Sequence, residues 1–392
     1  MNKGLIAVAA GAFAFGFSEF VMMGMLPEVA AGMSVSVPWA GNFISSYAIG
    51  VCVGTLMLVF GRRVPPKRLI ICFLVLSCAG NATAALAPSA GLLVAARFLS
   101  GLGHGSFFGT ATIVAKELAE PGKEGKAVGI MVLGQTLANT VGVPGGTLLS
   151  NLVTWRAAFA FVSVWAACSA AYSAKVIPAV PSIPNAGLMG QFRFLGAPGP
   201  WLVLAGVLLG NAGLFCWWSY VSPWFVNEGG WPDAALPVLL FLAGVGMIFG
   251  SQVGGRLVDL IGAGRTAALA QLTAATVLAL IFLLGGTMPT SLALGMLCSF
   301  ALFFPGCAQQ ILMVQVGRGG GEMIGSACVQ VAFNGGNAIG AQIGQLVLNT
   351  GVSYAWPSLA GAPLAMLASA SLAVFFTRFE RRYESEALGR AE

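Results

Sequence analysis

The chain has 392 residues, of which 57% are hydrophobic and only 8% charged, with a formal net charge of +6 and a mean hydropathy of +0.87. That composition excludes a water-soluble globule and leaves a protein whose solvent is lipid. The positive charge is no argument for nucleic acid, because in a membrane protein the placement of charges matters more than their sum.

A helix needs about 20 apolar residues to cross a hydrocarbon core roughly 30 Å thick. Runs of that kind predict twelve spans, at about 4–26, 39–60, 69–87, 90–114, 127–150, 157–178, 200–222, 236–257, 266–285, 289–313, 324–349 and 353–376. The first run exceeds the apolar region of a secretory signal and shows no cleavage pattern before Glu28, so it reads as a span. It contains "GAFAFGFSEFVMMGMLP", where Glu19 is the one charge among apolar residues. A charge at the bilayer centre costs from about 3 to above 10 kcal/mol, so it faces a partner or a water-filled cavity. Two readings stand for Glu19: a structural carboxyl bonded to a neighbouring helix, or a proton carrier. Burial raises a carboxyl's pKa and a nearby cation lowers it, so alternation between those surroundings binds and releases a proton. Phe15, Met22 and Met23 lie on the same span and are candidate substrate contacts.

The fourth span carries Arg97 and His104, the other two ionisable groups deep in apolar sequence. Glu19 and Arg97 each lie about seven residues from the outer end of their helices, roughly 10 Å below the surface, so the two are expected to meet. Arg97 reads either as their functional link or as a fixed clamp on an acid or on carbonyls. Arg97, Gly101, His104 and Phe108 share one helical face. His104 acts on the proton or substrate, or simply bonds across a close helix contact.

The fifth span, "GQTLANTVGVPGG", aligns Gln135, Asn139, Gly142 and Gly146, a stripe suited both to close packing and to substrate hydrogen bonds, and includes Pro144. After the sixth, "IPAVPSIPNAGLMGQFRFLGAPGPW" reads as a linker, which divides the chain into 1–180, a cytoplasmic linker 181–197, and 198–392. The seventh span, "GNAGLFCWWSYVSPWF", places Asn211, Phe215 and Trp218 on one face with Trp217 beside it. Trp217 and Trp218 could stack on a flat or apolar substrate, while Trp224 and Trp231 read as an interfacial belt. Asp259, with Arg265 after it, follows the eighth span in a cytoplasmic loop, either solvated or closing that side by an ion pair. The eleventh span aligns Gln330, Asn334, Asn337, Ala341 and Gly344, which we read as cavity lining.

The halves look duplicated. Gln135 and Asn139 correspond to Gln330 and Asn334 at an offset of 195, Pro27 to Pro223 at 196, and "GTLMLVFGRR" to "GRLVDLIGAGR" at about 201. At the position of Glu19 the second half has Phe215, which suggests that the first half handles protons and the second supplies apolar contacts. Of the 19 basic residues, all but Arg97 and Arg156 fall in the termini and one alternate set of loops, including Arg62, Arg63, Arg318, Arg381, Arg382 and Arg390. By the positive-inside rule both termini are cytoplasmic, and an error of one span would scramble this segregation. The eight cysteines lie inside apolar runs without disulfide or metal spacing and read as packing residues. No G-x-x-x-x-G-K-[ST] signature appears, so transport would draw on ions rather than ATP.

With these residues assigned, the chain resembles a family. "GRLVDLIGAGR" is similar to the loop signature of the major facilitator superfamily, and "LVAARFLSGLGHG" to its L-x-x-x-R-x-x-x-G motif. "GQTLANTVGVPGG" resembles the glycine-proline motif of its proton-coupled antiporters. "SEFVMMGMLPEVA", "GHGSFFG" and "FNGGNAIGA" together look most like its bacterial arabinose-efflux and chloramphenicol-efflux branch. The first-half loop signature has Leu58 where the family usually places aspartate, so a latch there is weak or absent.

The resemblance implies an all-α membrane fold of twelve helices in two pseudo-symmetric six-helix bundles around a central cavity. It implies a monomeric inner-membrane transporter without cofactor, metal or nucleic-acid partner, exporting a drug-like compound, sugar or metabolite in exchange for protons. Glu19, Arg97 and His104 would couple the proton. Asp259, Arg265 and Pro144 would gate. Proton-coupled symport or facilitated diffusion is the alternative, and an intramembrane enzyme is disfavoured by the scarcity of polar motifs.

Overall fold

The computed structural model describes residues 2–61, 64–120, 123–179, 193–317, 321–380 and 383, with the side chains of 56–61, 322 and 323 left aside. Arg62, Arg63, Arg318, Arg381, Arg382, Arg390, the side chain of Leu58 and linker residues 181–192 therefore lie outside the described residues. Among those described, the regular structure is entirely helical.

In the first half the helices are α1 (Lys3–Gly24), α2 (Leu26–Gly32), α3 (Val37–Gly61), α4 (Pro66–Leu86), α5 (Ala90–Leu102), α6 (His104–Glu117), α7 (Glu124–Leu137), α8 (Val143–Leu152) and α9 (Trp155–Val176). In the second they are α10 (Pro198–Trp218), α11 (Val221–Asn227), α12 (Leu236–Ile261), α13 (Ala263–Leu284), α14 (Met288–Phe303), α15 (Gly306–Val316), α16 (Glu322–Leu348) and α17 (Trp356–Phe375). Nine described stretches are long and apolar enough to cross a membrane. The other three predicted spans are α3, α5 followed by α6, and α16. The fold is the expected twelve-helix one.

Helix starts follow local chemistry. Ser89, Thr154 and Thr287 cap α5, α9 and α14 by accepting from main-chain N–H groups of the first turn. Four spans are broken at related places in the two halves: between α1 and α2 at Met25, α5 and α6 at Gly103, α10 and α11 at Ser219 and Tyr220, and α14 and α15 at Phe304 and Pro305. Pro305 has no N–H with which to continue its ladder. In the fifth span a π turn, Ala138–Gly142, joins α7 to α8, and Val143 N–H donates back to the Ala138 carbonyl. Pro144 explains it, because its ring cannot close the ordinary bond to the Thr140 carbonyl.

The chain divides into two compact units, Met1–Pro184 with Pro232–Gly244, and Asn185–Trp231 with Val245–Glu392. Residues 232–244, which include the start of α12, group with the first unit. Within that unit the Asn151 amide nitrogen lies 3.5 Å from the Asp233 carbonyl, and a Cβ at Gly244 would fall on Thr140.

In the first unit Phe15, Phe73, Phe107 and Ala111 form a core with α1 at its centre. A Cβ at Gly134 would collide with the Ala9 carbonyl, so α7 lies backbone against backbone on α1. The second unit repeats the device, with Gly336, Gly340 and Gly344 of α16 against the main chain of α10 at Leu208, Ala212 and Cys216. Outward surfaces are apolar, with Leu86 81% exposed and Leu260 78%. This is the arrangement expected when the solvent is hydrocarbon. Cysteines depart from expectation: Cys216 and Cys298 are buried, but Cys72, Cys168 and Cys307 are exposed, so packing accounts for only some of them.

Candidate functional site

Glu19 lies in the last third of α1 and is 5% exposed. Its Oε2 is 3.8 Å from Nε2 of His104, the first residue of α6. The break at Gly103 swings His104 into place, and the site is close-packed there: a Cβ at Gly103 would meet the Phe73 carbonyl and the Phe15 ring. The imidazole stands between Phe15 and Phe108, with ring centroids 5.5 and 5.1 Å away. Its other nitrogen, Nδ1, is 2.9 Å from the Tyr47 hydroxyl on α3.

Arg97 on α5 is fully buried. Its Nη1 donates to the Ser18 carbonyl at 2.7 Å and its Nε to the Phe43 carbonyl at 3.4 Å, while the guanidinium covers the Tyr47 ring at 4.4 Å from the centroid. Sequence reasoning expected Arg97 and Glu19 to meet. The guanidinium holds α1 one residue earlier, at the Ser18 carbonyl, and its charge acts on Glu19 through space. Its Nη2 has no hydrogen-bond partner among the described residues. Ser18 Oγ donates to Asn81 Oδ1 at 3.0 Å, and Asn81 Nδ2 in turn donates to the Ser77 carbonyl at 2.8 Å, tying α4 into the cluster.

The arrangement can store a proton. An acid and a base share a buried site beside a permanent cation, so one added proton has two places to rest and little competing water. Tyr47, Ser18 and Asn81 belong to it and were missed by sequence reasoning. Asn81 had a signal, an amide inside an apolar run; Tyr47 and Ser18 had none beyond polarity.

The remaining candidates are distributed over both units. Met22 and Met23 are buried one turn beyond Glu19 on α1. Gln135 is half-buried on α7, close to where a Cβ at Gly16 would sit. Asn139 is buried in the π turn, with neither end of its amide hydrogen-bonded among the described residues. Pro144 is buried in the first turn of α8. In the second unit Asn211 donates back to the Val207 carbonyl at 2.9 Å, Phe215 stands edge-on to Phe333, and both lie where Gly336 and Gly340 of α16 approach α10.

Trp217 and Trp218 are buried, and their indole N–H groups have no hydrogen-bond partner among the described residues. Asn334 and Asn337 are buried on α16, and Gln330 is half-buried one turn earlier. Trp224 is a correction: it is fully buried and packs on Trp217 at 4.8 Å between centroids, not at an interface. Trp231 is half-buried and donates to Ser291 Oγ at 2.9 Å. Asp259 lies in the last turn of α12 rather than in a loop, exposed, and forms no ion pair among the described residues. Arg265 is also exposed and lies over the Phe376 ring.

Residues 8–327 match the sequence profile of the Major Facilitator Superfamily. The chain is 36% identical over 387 residues, 98% of each protein, to the putative transporter AraJ of Escherichia coli K12. It is 32% identical to the chloramphenicol resistance protein of Streptomyces lividans over 65% of this chain and 66% of that one. The crystal structure of the POT family transporter PepTSo superposes with a TM-score of 0.76 over 98% of this chain and 99% of that one, at 13% identity.

Proposed function

This chain belongs to the major facilitator superfamily and is a multi-pass membrane transporter, and on that premise we infer that it exports a small organic molecule in exchange for protons by alternating access. One observation carries the reading: the carboxylate of Glu19, buried in α1, faces the imidazole of His104 at 3.8 Å beside the fixed charge of Arg97. Beside the Arg97 cation the unloaded carboxylate is compensated, and an added proton raises the charge of the cluster by one. Protonation from outside and release inside would therefore change the charge of the cluster once per cycle, with substrate and proton competing for the unloaded state.

The cargo contacts proposed in the second half are aromatic and amide: Asn211, Phe215, Trp217, Trp218, Asn334 and Asn337. The middle of its spans holds no charged side chain, which favours a neutral cargo, a drug-like molecule, sugar or metabolite. The relative named for chloramphenicol resistance fits that class. The moving bodies are the halves 1–180 and 198–392, with both termini cytoplasmic in the inner membrane. Pro144 is the proposed flexing point of the fifth span, and Asp259 and Arg265 lie on the side that closes towards the cytoplasm.

Glu19→Gln tests the coupling. The amide keeps shape and hydrogen bonds but stays neutral, so it should abolish uphill export driven by an imposed pH gradient in proteoliposomes while preserving substrate exchange. Uphill export at the wild-type rate would reduce Glu19 to a structural residue. Import in place of export, read as accumulation that a protonophore collapses, would favour the symport alternative.

A further inference from the structure

The Tyr47 hydroxyl has one hydrogen, and around it lie the His104 ring, the Phe15 carbonyl and the Ser18 side chain. It lies 2.9 Å from Nδ1 of His104 and 3.3 Å from the Phe15 carbonyl of α1. Across the ring, Nε2 of His104 faces Glu19 Oε2. Tyr47 is itself immobilised: it is buried, Arg97 lies over its ring, and its carbonyl abuts Gly101, where a Cβ would not fit.

A neutral imidazole carries one N–H and an imidazolium two. When the pair has given up its proton, Glu19 is a carboxylate and His104 neutral. The single ring N–H is then favoured on Nε2, towards the carboxylate, and Nδ1 accepts from Tyr47. One added proton can rest on the ring, giving N–H at both nitrogens. It can instead leave a carboxyl O–H donating to Nε2, with the ring hydrogen at Nδ1. In either case the pair has gained one proton and Nδ1 has become a donor. The Tyr47 oxygen must then accept, and its own hydrogen turns to the Phe15 carbonyl.

We propose that Tyr47 is a positioning residue that ties the proton state of the Glu19–His104 pair to the backbone of α1, its hydroxyl hydrogen going to His104 when the pair is empty and to Phe15 when it is loaded. This rests on reading Glu19 as the proton carrier. The groups facing the pair are Arg97 from α5 and Tyr47 from α3, while α4 contributes Asn81 and α9 Phe159, neither ionisable. Other charged residues of the helices packed on α1 sit towards helix ends: exposed Arg68, Lys116, Glu117, Glu124, Lys126 and Lys175, with Lys67 and Arg156 half-buried.

The loaded pair makes two hydrogen bonds through the Tyr47 oxygen and the empty pair one, so the hydroxyl favours loading. Tyr47→Phe removes that preference, and the pH of half-loading should fall by about one unit, a roughly tenfold lower loaded-to-empty ratio at a fixed pH. His104 is the one histidine of the chain, so 15N-histidine labelling of the full-length protein, free of any histidine tag and in lipid bilayers, makes nitrogen NMR report this ring alone. In the wild type Nδ1 should be unprotonated at high pH and protonated at low pH, with the midpoint displaced acidward in Tyr47→Phe. Nδ1 in one protonation state at both extremes overturns the proposal without any variant. A folded Tyr47→Phe with the wild-type midpoint overturns it as well. The two readings fail separately: loss of uphill export in Glu19→Gln with an unchanging Nδ1 sinks only the role of Tyr47, whereas a switching Nδ1 with intact export in Glu19→Gln sinks only the carrier role of Glu19.

Discussion

Glu28 shows how a single carboxyl can tax the fold. It lies in the first turn of α2, just past the break that ends α1, half-buried, with Oε2 lacking a hydrogen-bond partner among the described residues. Burial holds its carboxyl above the usual range, a main-chain hydrogen bond opposes the shift, and Asp233 adds to it. The folded protein therefore binds this proton more tightly than the unfolded chain, so stability is lower above the folded pKa and is recovered as pH falls towards the ordinary carboxylate value of about 4. Glu28→Gln should melt higher than the wild type at pH 8, with the difference vanishing near pH 4; a difference independent of pH would show that the charge is not the cause. Glu19, Arg97 and His104 were legible for the same reason that Glu28 matters, because ionisable groups are conspicuous in apolar sequence. Their partners were not. Whether Arg97 reaches a carboxylate or the carbonyl of Ser18 depends on helix rotation and on a break at Gly103, neither of which periodicity reports.

At the scale of elements, the polar stripe of the eleventh span was legible but the glycine seam beside it was not: Gly344 was counted in the stripe read as cavity lining, and Gly336 and Gly340 lay outside it. On α16 the glycines at 336, 340 and 344 abut the main chain of α10, while Asn334 and Asn337 are buried on the same helix among them. Gly340→Ala should cost about 1–3 kcal/mol, because the added Cβ falls on the Ala212 carbonyl and 2.9 Å from Phe215 Cβ. Gly306, at the start of α15, has open space around its would-be Cβ and provides the control. Gly306→Ala should leave melting unchanged or raise it. Equal losses at the two positions, measured by thermal unfolding in detergent, would dismiss the seam. Broken spans were less visible. Pro27 and Pro305 are local signals for two breaks, but those at Gly103 and at Ser219 lie in sequence that reads as continuous apolar helix.

For the whole molecule the span count was legible because two independent constraints agree: apolar run length, and a segregation of basic residues that tolerates no miscounted span. The grouping of Pro232–Gly244 with the first unit was not, since hydropathy cannot say against which neighbour a helix packs. The same bookkeeping of charge sets the energetics of the proposed cycle. If one proton enters for each neutral molecule exported, each cycle moves one net charge inward. A potential of 100 mV then supplies about 2.3 kcal/mol and one pH unit about 1.4, enough together for a gradient of a few hundredfold. Potential and pH gradient should therefore be interchangeable drivers. In proteoliposomes with the potential clamped by a potassium gradient and valinomycin, the steady-state concentration ratio should rise about tenfold for each 60 mV at constant pH and tenfold for each pH unit at zero potential. Two protons per molecule would double both logarithmic slopes, and electroneutral exchange would abolish the first while keeping the second. Glu19→Gln should respond to neither driver and relax to equal concentrations, because without a titrating carboxyl the cycle carries substrate but no charge.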